Sequence, residues 1–459
     1  MHGDDNLDPM NNEKLFTQTS PTRLFFMVAL PGAVSMAASS LYTVSEGLFV
    51  GRFLGSTAFA AVNLALPLVI INYAIADLLG VGSSVPISIA LGRGDEDEAN
   101  NIFSSTIVLI LAAGLLTGSL LFFGAPSLFR AMGAEGELLD NAIKFLRVNA
   151  MWSPITTIAY AVDNYLRICG RIRRSTSANI LMSGLGIALM ILFLGVWHLD
   201  VAAAGHAFCL ATFIAVCVAF WPFFKGELQL HFVQPQFSRA LIRRVVGDGT
   251  PTFLSNIASQ TTALILNFFL LKLGGPAAVT IYGMVMYFDG MVFPLVYGML
   301  DSLQPAVGFN WGRHDVHRVK QIELRCFAAA AVVCMVALVL LWIYPDEIVH
   351  IFITDAHGDN LVEAIRALRL FSLGYLVRWL VMGTYSMLVA LSQPRLASIL
   401  SLCNAFIFPV ALVFLLYPLG LLGMWLNYVC AEWLGAILSL ATLYYFRREL
   451  RGGKIEIGR

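Results

Sequence analysis

The chain has 459 residues, of which 58% are hydrophobic and 13% charged, with a mean hydropathy of +0.76. Soluble domains carry roughly half apolar and a quarter charged residues, so a soluble globular protein is excluded. The formal net charge is zero, which gives no reason to expect a nucleic-acid partner.

The first 20 residues are polar and mixed in charge, and they lack the short apolar core of a cleavable signal. They read as a solvated N-terminal tail, 1–20. Apolar runs long enough to cross a bilayer follow. Their spans are expected near 24–50, 60–90, 102–123, 145–167, 176–196, 202–224, 251–273, 280–309, 326–344, 364–391, 396–417 and 421–446. The fold class is therefore an all-α polytopic membrane protein with twelve transmembrane helices. The seven cysteines (169, 209, 217, 326, 334, 403, 430) lie mostly within these runs, form no CxxC, and read as small buried residues.

An even number of spans puts both termini on one side. Bases cluster in "RICGRIRR" (167–174), at Lys225, Arg239, Arg243 and Arg244, at Arg313, Arg318, Lys320 and Arg325, and in the tail "RRELRGGK". The intervening loop "PDEIVHIFITDAHGD" (345–359) has no Lys or Arg. The positive-inside rule then makes both termini cytoplasmic. The polar segment 225–249 divides the chain into an N-lobe (21–224) and a C-lobe (250–446), followed by a basic tail (447–459).

The lobes look duplicated. An ungapped shift of 220 positions sets Pro31 on Pro251, Ser39 on Ser259, Gly55 on Gly275, Gly92 on Gly312 and Arg93 on Arg313. Six helices separate the copies, so both face the same way, a parallel repeat of two pseudo-symmetric six-helix lobes. Transporters of this kind hold substrate between the halves and rock them. Pro31 and Pro251 are expected to bend the first helix of each lobe.

The acids are not duplicated: Glu46 falls on Leu266, Asp77 on Tyr297, Asp289 on Val69 and Asp301 on Val81. An ion inside the bilayer costs several kcal/mol unless it faces protein or water. Asp289, Asp301 and Glu432 share a lobe with Arg378, the one base expected well inside a span, and pairing with it would make them structural. Asp163 is either an interfacial acid or part of the ion site. Glu46 and Asp77 have no base in their own spans, and roughly 15 Å of depth separates them at 1.5 Å per residue, so they are not expected to pair. Both suit uptake and release of a proton, with hydrogen bonding as the structural alternative. Candidate ion-coupling residues are Glu46, Asp77, Asp163 and Asn72. Candidate cavity residues are Ser39, Thr43, Asn63, Asn164, Asn256, Gln260, Asn267, Met284, Tyr287, Asp289, Met291 and Gln304, although amides inside spans also serve as links between helices.

Several segments resemble the multidrug and toxic compound extrusion (MATE) family. They are "SLYTVSEGLFVGRFLGSTAFAAVNLALP" (40–67), "SIALGRGD" (88–95), "DNYLRICGRIR" (163–173), "QPAVGFNWGR" (304–313) and "GLLGMWLNYVCAEWLGAIL" (420–438). The last is similar to the prokaryotic drug-exporter branch. The resemblance implies export of cationic or amphipathic drugs across the bacterial cytoplasmic (inner) membrane in exchange for H⁺ or Na⁺, by a monomer without enzymatic activity, cofactor or metal. Glu46, 15 residues after Pro31, stands where the family's ion-linked carboxylate stands. That residue is usually Asp, one methylene shorter. The family's fifth helix commonly carries an acid, whereas "SGLGIALMILFLG" (183–195) carries none. The alternatives are a lipid-linked precursor flippase, which would need more cavity cations, and an intramembrane transferase. The latter would need Asp-rich metal motifs or a histidine pair, and His198, His206, His314 and His317 fall at loops or span ends.

Overall fold

The computed structural model describes residues 11–352 and 358–451. The described chain is helical: α1 (Asn11–Thr17), α2 (Pro21–Arg93), α3 (Glu96–Ala131), α4 (Gly136–Ile168), α5 (Ile172–Met190, continued as a π segment Ile191–Val196), α6 (Val201–Phe224), α7 (Arg239–Gly312), α8 (Val316–Ile343), α9 (Pro345–Phe352), α10 (Asp359–Ser372), α11 (Tyr375–Ala390), α12 (Pro394–Leu402), α13 (Phe408–Leu416) and α14 (Leu421–Arg451). A π segment, Cys403–Ile407, joins α12 to α13. In hydrocarbon, only closed backbone hydrogen bonding is tolerated, and helices supply it within each segment.

The long helices α2 and α7 are each two spans joined at a glycine. Gly55 (φ 85°, ψ 179°) and Gly275 (φ 65°, ψ −161°) are the non-helical residues inside them. Positive φ is cheap only without a Cβ, and the two glycines stand 220 positions apart. Pro31 and Pro251 lie inside continuous helix, so neither breaks its span. Counting α2 and α7 twice, taking α10 and α11 as one span bent by 44°, and including α4, the described residues carry twelve spans.

The repeat also extends to the caps. Asp95 and Asp315, 220 apart, each accept from the backbone N–H three residues on, at 3.0 Å, and start α3 and α8. Within the N-lobe α4 packs on α2, α3 and α6, and α5 on α6; within the C-lobe α11 packs on α8 and α14, and α12 on α7.

The lobes meet chiefly through α2 and α7, on the half of the molecule nearer residues 93 and 312. A Cβ built on Gly92 would stand 2.0 Å from the Phe309 carbonyl oxygen, and one on Gly312 would stand 2.2 Å from that of Ile89. These two contacts are exchanged by the 220-residue shift. Deeper in, Gly32 faces Gly298 and Ser302, while Gly249 faces Leu78 and Gly82. Leu78 and Gly82 are the repeat equivalents of Gly298 and Ser302. Lipid offers no hydrophobic drive for association, so close backbone contact between small residues supplies it.

Both ends of the described chain lie on this face, hereafter the termini face. Phe16 of α1 meets Phe309, and Phe446 of α14 meets Trp311. Residues 11–20 are therefore not a solvated tail. Phe16 is 2% exposed, its carbonyl accepts from Asn310 at 3.1 Å and from Arg318, and Glu13 pairs with Arg313. Residues 1–10 and 452–459 lie outside the described chain. The mid-chain connection is also shorter than expected, because α7 begins at Arg239 within 225–249. Its first part runs along α3, held by His231 N to Asn100 (2.9 Å), Val233 N to Ser104 (2.9 Å) and Gln236 N to Asn101 (2.8 Å).

Gly92→Ala and Gly312→Ala are each expected to destabilise the protein by about 1–3 kcal/mol through overpacking, seen as lowered thermal midpoints in detergent. Gly184→Ala, with nothing within 4 Å, is the control and is expected to leave the midpoint in place. Unchanged midpoints for the first two would contradict the proposed contact.

Candidate functional site

The candidate ionisable groups within the spans fall into three clusters rather than one cavity, while buried Asp248, bonded by Ser392, and buried Glu323 lie outside them. The first lies within the N-lobe. Glu46 sits on the first limb of α2, and Tyr42, one turn earlier, donates its hydroxyl to Glu46 Oε1 at 3.4 Å. The i, i+4 spacing puts both on one helix face. Tyr42 stacks near Phe208 of α6 (5.1 Å between centroids), Phe208 lies 6.5 Å from Tyr73, and Tyr73 lies 5.4 Å from Tyr160. The carboxylate thus stands beside an aromatic wall contributed by α2, α4 and α6, and among the described residues it forms no ion pair.

The second cluster lies at the lobe boundary. Asp77, on the second limb of α2, accepts from Asn256 of α7 at 3.3 Å. Tyr160, Tyr297 and Tyr385 lie close enough to feel its charge, and Asp301 is also nearby. Asp301 does not pair with Arg378. It binds Arg167 of α4 at 2.9 Å, across the lobes. Arg167 also meets Asp163, one turn before it, at 2.6 Å and donates to Ser175 at 3.1 Å. Asp163 accepts from Ser175 and from Asn179 (2.9 Å) of α5. Arg167 is 2% exposed. Arg167, counted among the bases of the cytoplasmic segment "RICGRIRR", is therefore buried, and Arg378 is not the one buried base. The signal was legible: an acid and a base at i, i+4 share a helix face, so a deep Asp163 implies a deep Arg167.

The third cluster fills the C-lobe. Asp289 takes two hydrogen bonds from Arg378 and one from Tyr375 at 2.8 Å. Arg378 also donates to Tyr428, and Phe293, Tyr375 and Tyr428 surround it at 5.4–5.7 Å. Of the three acids expected to pair with this arginine, Asp289 does so, Asp301 binds Arg167 instead, and Glu432 is buried close enough to feel the charge of Arg378 without a salt bridge to it among the described residues. Each buried guanidinium is neutralised by carboxylates, and neither is left to meet a pyrophosphate.

Among the other candidates, Asn72 is engaged by α3 and α4. Its Oδ1 accepts from Thr117 (2.6 Å) and Ser153 (3.0 Å), joining α2, α3 and α4. It is a helix link, as buried amides often are. Ser39, Thr43 and Asn63 bond carbonyls one turn back on their own helices, at 3.2, 3.2 and 2.8 Å. Asn267 and Tyr287 line an open hollow of about 340 Å³ between the two limbs of α7, with Ala263, Val279, Tyr282 and Met286. Met284 and Gln304 are buried and do not line it, and Gln304 donates to Ser386 at 3.3 Å. Met291 and Gln260 are exposed, and Asn164 is partly buried. Among the described residues no group of His, Cys, Asp and Glu is arranged to hold a metal ion.

The sequence matches the MatE family over residues 31–192 and again over 251–415. The two matches begin at Pro31 and Pro251, the same 220-residue offset. The chain is 23% identical over 454 residues to "Multidrug export protein MepA" of Staphylococcus haemolyticus (strain JCSC1435), covering 98% of this chain and 99% of that one. It is 24% identical over 451 residues to the protein of the same name from Staphylococcus aureus (strain MSSA476), covering 96% and 98%. Its fold superposes on a multidrug resistance MATE transporter in an outward-facing conformation, with a TM-score of 0.88, 23% identity, and 95% and 97% coverage. It superposes equally on MATE in a bent and in a straight conformation, each with a TM-score of 0.89 and 23% identity; coverage is 97% and 99% for the bent form and 96% and 99% for the straight. Matched in both halves and over more than half its length, this multi-pass membrane protein belongs to the MatE family.

Proposed function

We propose that the chain is a multidrug efflux transporter that exchanges amphipathic or cationic organic compounds for H⁺ or Na⁺ by alternating access. Family membership and the full-length relatives named as multidrug export proteins support the transport class. The observation that carries the coupling is the unpaired state of Glu46. Asp163 has Arg167, whereas Glu46 and Asp77 are held by the neutral donors Tyr42 and Asn256.

A carboxylate inside the bilayer without a cationic partner must be neutralised by something that arrives. A proton, a Na⁺ ion or a cationic substrate each does so, and one occupant excludes another. That exclusion makes the exchange obligatory. The phenol and phenyl faces of Tyr42, Tyr73 and Phe208 offer a substrate both apolar area and cation–π attraction. Chemistry beyond binding is not required, so the functional classes are those of a carrier.

The second cluster supplies the closed side of the cycle. Arg167–Asp301 and Asp77–Asn256 cross between lobes on the termini-face side of Glu46. Arg244–Glu98 adds a crossing at the surface, at 2.7 Å. With both termini cytoplasmic, as the basic segments argue, this arrangement is closed on the inward side. Neutralising Asp77 or Asp301 changes the charge balance at the closure, so ion arrival can act on the lobes directly. A single chain holds both lobes, and we take the monomer as the working unit.

In proteoliposomes, Glu46→Gln is expected to abolish exchange of a fluorescent organic cation driven by a pH or Na⁺ gradient while leaving the thermal midpoint near that of the parent. Preserved gradient-driven exchange would refute the assignment. A lipid flippase or a transferase would not move the dye at all. Arg167→Gln strands Asp163 and Asp301, and removing one partner of a buried pair costs about 3–5 kcal/mol. A large fall in thermal midpoint is expected, partly restored in Arg167→Lys. A midpoint that does not move would show that the latch carries no load.

A further inference from the structure

The α5–α6 edge of the N-lobe carries a groove that the transport cycle does not use. It encloses about 370 Å³ and lies where α5 begins and α6 ends, on the termini face. Its floor is apolar, formed by Leu181, Val218 and Ala219. Its mouth is cationic, with Arg174 on α5 and Lys225 just after α6. Glu227 stands 3.7 Å from both side chains, beyond hydrogen-bond distance but close enough to hold the two cations over one opening. Lys225 Nζ lies 5.4 Å above the Trp221 ring, and Trp221 is 60% exposed. The mouth carries two positive charges against one negative.

The level of the groove in the membrane follows from the helices. Leu181 lies nine residues inside the start of α5 and Val218 six residues inside the end of α6. At 1.5 Å per residue the floor runs about 10 Å below the bilayer surface. Trp221 and Phe224, both exposed, mark that surface in the manner of interfacial aromatics. The site therefore offers cations at headgroup depth and an apolar channel at acyl depth, which is the layout of a phospholipid.

We propose that this groove is a binding site for an anionic glycerophospholipid of the termini-side leaflet. Its phosphodiester sits between Arg174 and Lys225, and its acyl chain lies along Leu181, Val218 and Ala219. The guanidinium suits two phosphate oxygens at once, and the ammonium supplies a point charge. Ser177, at the lip of the groove, is placed to donate to a third. The occupant ties α5 to α6 within one lobe, so it adds to the rigidity of that lobe rather than to the contact between lobes.

The test uses the full-length protein in phosphatidylcholine nanodiscs containing either acyl-brominated phosphatidylglycerol or acyl-brominated phosphatidylcholine at equal mole fraction. Quenching of Trp221 is isolated by subtracting the signal of a Trp221→Phe variant. Brominated phosphatidylglycerol is expected to quench more strongly. Arg174→Gln and Lys225→Gln should each cut that preference by about fivefold, and together they should erase it. Glu227→Gln should raise it, because a competing negative charge is removed. Inorganic phosphate added at low ionic strength should not relieve the quenching, because it lacks the acyl chain. Equal quenching by the two lipids in the parent protein, or a preference that survives the double substitution, overturns the proposal. Full relief by inorganic phosphate alone would assign the cations to a free anion and overturn the lipid assignment.

Discussion

The structure depends on one constraint, the approach of two backbones at Gly92 and Gly312. There is room for a hydrogen and not for a methyl at either place. The contact is made twice by one sequence feature, because Ile89 and Phe309, whose carbonyls fill the space, are themselves repeat equivalents. A pseudo-twofold axis along the membrane normal follows directly. It fixes which half of the molecule is closed, and it fixes α2 and α7 as the elements through which each lobe feels the other. The same helices carry Glu46, Asp77, Asp289 and Asp301, so the packing scaffold and the ionisable chemistry share their supports.

Duplication of the scaffold without duplication of the charges explains the division of labour. In the C-lobe, Asp289 is held by Arg378 and Tyr375, and Arg378 also donates to Tyr428. In the N-lobe, Glu46 accepts from the neutral donor Tyr42, and among the described residues it has no cationic partner. The N-lobe is thus left with a charge to be neutralised in each cycle, while the C-lobe keeps an internal ion pair of fixed composition. Between them, Arg167 reads both lobes at once, bound to Asp163 on its own helix and to Asp301 on the other side. Departure of the lobes from one another must break the second of these bonds and can keep the first, so the arginine has a partner in either arrangement. This is the usual requirement for a switchable buried charge.

Much of the fold was legible in the sequence because bilayer physics is strict. Hydropathy located the spans, although α4, α7 and α8 begin well before the expected bounds, and the ungapped 220-residue register paired Gly55 with Gly275 and Gly92 with Gly312, the positions of the glycine breaks and of the axis contact. The site was less legible. Asp289 was only one of three acids that shared a lobe with Arg378, whereas the separation of Glu46 from Asp77 could be read from spacing. The partner of Asp301 could not, because it lies on another helix in the other lobe and sequence distance carries no information on that. Arg167 opens a run of bases, Arg173 and Arg174 among them exposed, and only its i, i+4 spacing from Asp163 set it apart. Residues 11–20 misled in the opposite sense: a polar composition suggested a solvated tail, but Phe16 is a buried anchor whose carbonyl meets Asn310 and Arg318. Asn72 illustrates the general difficulty with intramembrane amides, which serve packing and chemistry with the same atoms.

The most direct test of the account measures two distances in one preparation. Spin labels at the repeat-equivalent positions 97 and 317 report the termini face, and labels at 56 and 276, beside the two glycine turns, report the opposite face. When the coupling ion and an organic cation are exchanged, the account predicts that one distance lengthens as the other shortens, and that Glu46→Gln suppresses both changes. Two distances that move together, or that stay fixed while transport proceeds, would contradict it.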